Sequence, residues 1–377
     1  MKIAIFGGSF DPVHAEHVSI ARAAREKLGA DRVVVVPAFL PPHKAERHLA
    51  PASARLEMAR LAFAGIPGCE VSPYEINAGG TSYTVRTLRR FRALYPQDEL
   101  FLLVGADMLR DFYTWKQPED ILSMATLVAC GREGDPADFK KEQKRFTARF
   151  GVPFLPLGYT GAAVSSTEVR VLCAFGEDAR GLLPAEVADY IDANELYRVG
   201  PVRAALGYLT PARHKHSLRV ALTAAGRAAQ VGVSEYDAVL AAGLHDCAKN
   251  LPPDAPALAG FCPPDDVPAP VLHQYAGAYV AEHTLGVTDQ NVLDAIRYHT
   301  SGRPAMSALE KLIFLADMLE PGRDFPGIRR LRKLFAESLD ACMYRSLKEE
   351  IKHLKKGKGS IYPLTFRAYE YYKEHRK

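Results

Sequence analysis

Two histidines three residues apart, His14 and His17, follow a glycine pair in the run Lys2-Ile3-Ala4-Ile5-Phe6-Gly7-Gly8-Ser9-Phe10-Asp11-Pro12-Val13-His14-Ala15-Glu16-His17. Glycines directly after an apolar strand let backbone approach a phosphate closely. The helix that follows then points free N–H groups and partial positive charge at the same place. Residues three apart share a helix face, so both imidazoles reach one triphosphate. Neither the P-loop pattern nor G-x-G-x-x-G is present. The chemistry this suits is attack at the α-phosphorus of a triphosphate, with pyrophosphate leaving and catalysis by positioning and charge stabilisation. A second phosphate signature is Val164-Ser165-Ser166-Thr167-Glu168-Val169-Arg170, which puts hydroxyls and N–H donors at a helix start with Arg170 one turn in. The plainer readings are a strand-to-helix turn for the glycines alone and a capping box for the serines.

A different chemistry belongs to His216, the adjacent pair His245-Asp246, His273, His299 and Asp317. Neighbouring helix residues point about 100° apart, yet both members of the pair reach a metal at the edge of a helix spanning Ala238 to Lys249. His216 and Asp317 complete one ligand set, and His273 and His299 suit a second metal. Asp246 would bridge the two in a hydrolytic site that activates water and polarises phosphate. Nitrogen and carboxylate ligands suit iron, manganese, zinc or cobalt. A single histidine on an apolar face is usually a satisfied core residue, and it is the set that argues for metal.

The elements that position these residues differ between the two halves. Strand-like runs at Ile3 to Phe6, Arg32 to Pro37, Leu100 to Gly105, Ala125 to Cys130 and Pro153 to Leu157 alternate with helical stretches at Val18 to Leu28, Ala52 to Gly65, Ser82 to Tyr95, Pro118 to Ser123 and Asp138 to Phe150. That alternation predicts a parallel sheet with helices on both faces. Ser166 or Thr167 caps a further helix. Gly200-Pro201 marks a boundary, and helical periodicity dominates beyond it: Pro211 to Val231, Ser234 to Ala248, Gln274 to Leu285, Asp289 to His299, Ser307 to Leu319, Ile328 to Lys355 and Thr365 to His375. The expectation is an α/β domain over residues 1–199 and an all-α domain over residues 200–377.

With 377 residues, 48% hydrophobic and 24% charged, the chain is globular and long enough for two cores. A net charge of +4 permits anionic small substrates but supplies no concentrated basic stripe, so nucleic-acid binding is not expected. Six scattered cysteines without a C-x-x-C pair point to a reducing compartment. No apolar run approaches the roughly 20 residues that span a bilayer, and the first strand is broken by Gly7-Gly8 before it could serve as a signal peptide. A cytoplasmic protein is expected.

The Gly-Gly-Ser-Phe-Asp-Pro-x-His-x-x-His and Ser-Ser-Thr-x-x-Arg pair resembles the nucleotidylyltransferase superfamily, and more narrowly the bacterial nicotinate-nucleotide adenylyltransferases, over about Met1 to Tyr197. The resemblance extends to Pro37-Ala38-Phe39-Leu40-Pro41-Pro42-His43-Lys44, Thr81-Ser82-Tyr83-Thr84, Gly105-Ala106-Asp107-Met108 and Val187-Ala188-Asp189-Tyr190-Ile191. It implies a Rossmann-like fold, Mg²⁺, and ATP held by Gly7, Gly8, Ser9, Phe10, His14, His17, Ser166, Thr167 and Arg170. Gly105 and Asp107 would be at the adenosine ribose and Lys44 near the phosphates. Trp115, the only tryptophan, would stack on a pyridine ring with Tyr83 and Thr84 beside its carboxylate; an ordinary core tryptophan is the alternative. One departure stands out: the family has glycine where this chain has Glu16, which is awkward if the backbone there needs positive φ. The carboxylate is expected to point away from the cradle.

The second half resembles the HD-domain superfamily from about Pro211 onward, and is most similar to the bacterial HD proteins that split diadenosine tetraphosphate symmetrically into two ADP. The matching stretches are His216-Ser217-Leu218-Arg219-Val220, Gly243-Leu244-His245-Asp246-Cys247-Ala248-Lys249, His299-Thr300-Ser301-Gly302-Arg303 and Phe314-Leu315-Ala316-Asp317-Met318-Leu319-Glu320-Pro321. This implies the metal ligands named above, with iron or another divalent transition metal, and phosphate contacts from Lys249, Arg303 and Arg323. Cys247, beside the ligands, is read as a packing residue.

The expected enzyme is bifunctional. One site joins ATP and nicotinate mononucleotide, and the other hydrolyses diadenosine tetraphosphate. The alternatives are a regulatory nucleotide-binding HD domain, another HD substrate, and another acceptor such as nicotinamide mononucleotide. A nucleic-acid adaptor using the basic run Lys348 to Lys358 would show steep salt dependence. Oligomeric state stays open, a homodimer among the options.

Overall fold

The structure is a computed structural model that describes residues 1–42, 49–132, 139–356 and 361–375. The chain divides into two compact units, Met1–Val169 with Ala179–Leu196, and Arg170–Asp178 with Tyr197–Lys377.

The first unit runs β1 (Lys2–Gly8), α1 (Ala15–Leu28), β2 (Arg32–Pro37), α2 (Ala52–Phe63), β3 (Cys69–Val71), α3 (Tyr74–Ala78), α4 (Thr84–Leu94), β4 (Glu99–Gly105), α5 (Ala106–Asp111), α6 (Pro118–Met124), β5 (Thr126–Arg132), α7 (Phe139–Phe150), β6 (Leu155–Gly161), the first turn of α8 (Ser166–Phe175) and α9 (Ala185–Ala193). All strands pair in parallel in the order β3-β2-β1-β4-β5-β6. Ile3, Ala4, Ile5 and Phe6 are consecutive and all buried, as a strand covered on both faces requires. The order reverses between β1 and β4, where the two crossovers leave in opposite directions and open a crevice at the strand carboxyl ends. Gly7 and Gly8 end β1, and Gly105 ends β4 beside it.

The sequence reading missed β3, α3 and α5. At three to six residues each, they are too short to show a period. The last strand lies two residues later than expected at its start and four later at its end, with a register shift against β5 between Ala129 and Gly131.

The second unit is helical among its described residues: α10 (Gly200–Ala205), α11 (Pro211–Ala228), α12 (Glu235–Leu244), α13 (Ala269–His283), α14 (Gln290–Arg297), α15 (Ala308–Leu319), α16 (Ile328–Glu337), α17 (Leu339–Lys356) and α18 (Pro363–Glu374). Gly200-Pro201 starts α10 instead of interrupting the chain, because proline is tolerated in a first helical turn. The expected helix Ile328 to Lys355 is two helices, split at Ser338, whose φ of −155° is extended. Thr210, Ser234, Asp289 and Ser307 cap α11, α12, α14 and α15 through their side-chain oxygens. Alanine is frequent where α11, α12 and α15 meet: Ala221, Ala224, Ala241, Ala242 and Ala316 are fully buried. Small side chains there let the helices carrying the metal-type residues approach closely.

Candidate active sites

In the first unit, His14 is the N-cap of α1 and 1% exposed, and His17 lies one turn on. Their rings stack with centroids 3.7 Å apart. The His14 backbone N–H donates to His17 Nδ1 at 3.1 Å, so a neutral His17 carries its proton on Nε2. Phe10 packs edge-on against the His17 ring at 5.1 Å and fixes its plane. A Cβ at Gly7 would meet nothing within 4 Å, so protein packing does not require this glycine; the open space over it is where a ligand would approach.

Arg55, which the sequence reading did not single out, holds the cradle from behind. Its fully buried guanidinium donates to the carbonyls of Ser9, Ala38, Phe39 and Ala50. One cation thus joins the loop after β1 to the chain leaving β2. An arginine inside α2 looks like any exposed helical arginine in sequence, so no local signal marks it.

The Asp107 carboxylate accepts from Met108 N–H at 2.9 Å in the first turn of α5, at the end of β4. Tyr83 caps α4 ahead of Thr84, with Lys116 Nζ 4.3 Å above its ring. The next residue back, Trp115, is half-buried against Phe112 at 5.2 Å. Tyr83 and Trp115 therefore line one region beside the β4 end. Ser166 Oγ donates to the Pro12 carbonyl at 3.0 Å, which joins the start of α8 to the loop before α1. The cap of α8 is Ser165, not Ser166 or Thr167, because the helix begins at Ser166, one residue earlier than a Ser166 cap requires and two earlier than a Thr167 cap; Ser165 Oγ takes the Glu168 N–H at 3.1 Å. Lys44 lies outside the described residues. Arg170 belongs to the second unit, where Glu235 at the start of α12 holds it bidentately at 2.7 and 2.6 Å.

In the second unit, all six metal-type residues converge. His245 and Asp246 follow the end of α12 at Leu244, in a tight turn instead of within a longer helix. Leaving the helix is what lets adjacent residues face one point. Asp246, 1% exposed, turns Oδ2 toward His216 Nε2 at 3.8 Å and His245 Nε2 at 3.5 Å. Its Oδ1 faces His273 Nε2 at 3.3 Å and His299 Nε2 at 3.4 Å. Asp317 Oδ1 lies 3.0 Å from His216 Nε2. The ligand-type atoms of His216, His245 and Asp317 form one tight group, and those of His245, Asp246 and His299 another.

The outer ring nitrogens are already spent. His245 Nδ1 donates to the Ala242 carbonyl and His299 Nδ1 to the Ile296 carbonyl, each at 2.7 Å. His216 Nδ1 faces Glu320 Oε1 at 3.2 Å. Glu320 is itself held by Arg219 and the Gly322 N–H. The inner Nε2 atoms of His216 and His245 are buried and make no well-formed hydrogen bond, although Asp317 Oδ1 and Asp246 Oδ2 lie 3.0 and 3.5 Å from them. A buried polar atom without a partner is costly, and a ring held by its other nitrogen is how proteins orient metal-ligating histidines. The donor set therefore fits divalent metal.

Burial alone would raise Asp246, but the charges and hydrogen bonds of His245, His273 and His299 hold its carboxyl far below the ordinary carboxylate range. Asp317 follows the same pattern: burial opposes ionisation, and the His216 imidazole 3.0 Å away, with His245 and His299, outweighs it. Burial brings His273 down to about 4, which keeps it neutral and able to ligate near neutral pH. Burial pushes the Cys247 thiol up to about 12, so it packs as an apolar group. Lys249 Nζ sits 3.2 Å from Asp246 Oδ1, and Arg323 Nη2 2.7 Å from Asp317 Oδ1. Arg303 is taken up elsewhere by Glu310 at 2.6 Å and Asp294 at 3.4 Å. Sequence reasoning did not name Arg213, 2.6 Å from Asp246 Oδ2 and one turn before His216 on α11; its spacing from His216 was the available signal.

Comparison with known proteins accords with this geometry. Residues 5–172 match the cytidylyltransferase-like family and residues 213–322 the HD domain. A Thermus thermophilus protein named as a probable nicotinate-nucleotide adenylyltransferase is 44% identical over 198 residues, covering 52% of this chain and all of the relative. Two proteins named as probable nicotinate-nucleotide adenylyltransferase/Ap4A hydrolase, from Mycoplasma genitalium and Mycoplasma pneumoniae, are 30% and 33% identical; each match covers 85% of this chain and 88% of the relative. The first relative matches one half and the other two span both halves in the same order, so this chain belongs to the nicotinate-nucleotide adenylyltransferase family of enzymes, in the form that carries a C-terminal HD domain.

Proposed function

We propose that the first unit transfers AMP from ATP to nicotinate mononucleotide. A phosphate oxygen of the mononucleotide attacks the ATP α-phosphorus, the bond to the β-phosphate oxygen breaks, and pyrophosphate leaves. The observation that carries this is His17 with its Nδ1 committed to the His14 amide, beside Gly7 and Gly8 at the reversal of the strand order. His17 Nε2–H and the α1 amides would stabilise charge on the α-phosphate, and Gly8, Ser9, Phe10, Ser166 and Thr167 would surround the rest of the triphosphate. Lys44 and Arg170 are proposed phosphate contacts, and Arg170 would have to leave Glu235 to serve as one. Gly105 and Asp107 would lie at the ribose, and Tyr83, Thr84 and Trp115 at the pyridine. Mg²⁺, if bound with the triphosphate, would supply charge neutralisation.

We further propose that the second unit hydrolyses diadenosine tetraphosphate. Water adds to an inner phosphorus, the central anhydride bond breaks, and two ADP result. The carrying observation is Asp246, whose two oxygens face different histidine pairs as a bridging carboxylate would. His216, His245, Asp317 and Asp246 would hold one divalent ion, and Asp246, His273 and His299 a second, of iron or another transition metal. Such ions supply water activation and phosphate polarisation. Lys249 and Arg323 already stand on the metal-type carboxylates and would turn their cations to the phosphates; Arg303 would first have to release Glu310.

The test uses purified wild type, His17→Ala and Asp246→Ala, each assayed with ATP plus nicotinate mononucleotide and with diadenosine tetraphosphate plus divalent metals. The expected result is that His17→Ala loses only transfer and Asp246→Ala only hydrolysis. Wild type that hydrolyses nothing under any metal would overturn the second half of the proposal.

A further inference from the structure

Glu16 stands directly before His17, where the family resemblance predicts glycine. It lies in the first turn of α1 in helical conformation, so no positive φ is demanded. Its side chain is 4% exposed and reaches the end of β6. There Oε2 accepts from the Ala162 N–H at 3.0 Å and from the Tyr159 hydroxyl at 3.3 Å. Oε1 is buried without a partner. The carboxylate fills the space over Gly161: a Cβ built there would stand 1.5 Å from Glu16 Oε1 and 2.3 Å from Cδ. The two positions are complementary, an added carboxylate at one fitting a missing side chain at the other.

We infer that Glu16 is a positioning residue for the transfer site. Ala162 begins the turn that leads to Ser166 and Thr167, and Ser166 returns to the Pro12 carbonyl at 3.0 Å. Two bonds therefore tie the chain around the start of α1 to the segment between β6 and α8, one at each end of that segment, and Glu16 makes the charged one. Hydrogen bonds to ionised groups exceed neutral ones, and this one is shielded from water. Lys27, near the other end of α1, donates to the Gly158 carbonyl, so the helix is fastened to β6 at both ends. Glu16 touches no reacting atom in this scheme. It sets the separation between His17 and the Ser166-Thr167 turn, and so the grip on the triphosphate. This inference rests on the transferase reading above.

The experiment compares full-length wild type, Glu16→Gln, Glu16→Gly, Gly161→Ala and the double variant Glu16→Gly/Gly161→Ala. Glu16→Ala replaces Glu16→Gly if the latter does not fold. Two readouts are taken: KM for each substrate with kcat, and amide exchange of the Ala162–Thr167 segment without substrate. Glu16→Gly should raise KM for ATP about tenfold, the loss of one charged hydrogen bond, leave KM for nicotinate mononucleotide unchanged, and speed exchange in the segment. Glu16→Gln keeps an acceptor and should stay within about threefold of wild type. Gly161→Ala should show the Glu16→Gly defect, and the double variant should be no worse than either single, since the alanine then fills space the carboxylate has left. Unchanged exchange and unchanged KM for ATP in Glu16→Gly, or additive defects in the double variant, would overturn the inference. If wild type transfers nothing, the transferase reading fails, while the exchange pattern still decides whether Glu16 fixes the turn.

Discussion

Asp246 is a carboxylate shut away from water with four histidines and two cations around it. The types and order of its partners were legible in the chain, because adjacent His-Asp with further histidines has few purposes other than metal. What orients them was not. Glu320 is a common residue in an unremarkable place until the fold sets it 3.2 Å from His216 Nδ1. Glu320→Gln should therefore weaken metal binding about 10- to 100-fold, as loss of an outer partner does, without removing a ligand; isothermal titration of the chelated protein measures it. Glu350 offers a second test. Burial first, then the nearby Asp317 charge, pushes its carboxyl from 4.5 up to about 8, and its Oε2 has no partner. The folded chain thus keeps a proton that the unfolded chain releases above about pH 4.5. Stability of the chelated protein should fall as pH rises from 4.5 toward 8 and level off above. Glu350→Gln should flatten that slope, read from urea midpoints across the range.

At the scale of elements, long periodic segments were legible and short or capped ones were not. β1, β2, β4 and β5 follow from unbroken apolar runs, whereas β3 has three residues and nothing to distinguish it from a loop. The helix read across His245-Asp246 shows the opposite error: its apolar pattern continues, yet the backbone stops at Leu244 because the site needs both side chains on one side. α15 carries Asp317, and its start is fixed by a reciprocal capping box in which Ser307 Oγ accepts from Glu310 N–H while Glu310 accepts from Ser307 N–H. Glu310 also anchors Arg303. Ser307→Ala should cost about 1 kcal/mol of the second unit's stability with little effect on metal affinity, since Asp317 lies near the far end of the helix. Glu310→Ala should cost more, because it frees the half-buried Arg303 as well as the cap. Thermal denaturation of both variants ranks them.

For the molecule as a whole, composition and periodicity drew one border near Gly200, and contacts draw another. α8 is the reason. Its first turn, with Ser166 and Thr167, counts with the sheet, while Arg170–Asp178 counts with the helical unit. Val171, Ala174 and Phe175 are at most 1% exposed in the core that also holds Val202, Val220 and Ala241. A helix whose apolar side belongs to a distant stretch of chain has no local signature, because periodicity reports that a face is buried and not against what. This has a consequence for dissecting the two activities. A fragment ending at residue 199 keeps every described residue proposed to bind ATP and the pyridine nucleotide, yet it strips the cover from those three side chains. It also leaves Arg170 without Glu235, its bidentate partner. Burying a side chain of this kind is worth roughly 1.5–3 kcal/mol for valine or phenylalanine, so the fragment should melt below the corresponding transition of the full chain and aggregate more readily. Replacing Val171 and Phe175 by polar residues should restore solubility to the fragment and, in the full chain, destabilise the helical unit. Light scattering and thermal unfolding of the four proteins decide it: a fragment as soluble and stable as the full chain would mean that the C-terminal part of α8 does not depend on the core it enters.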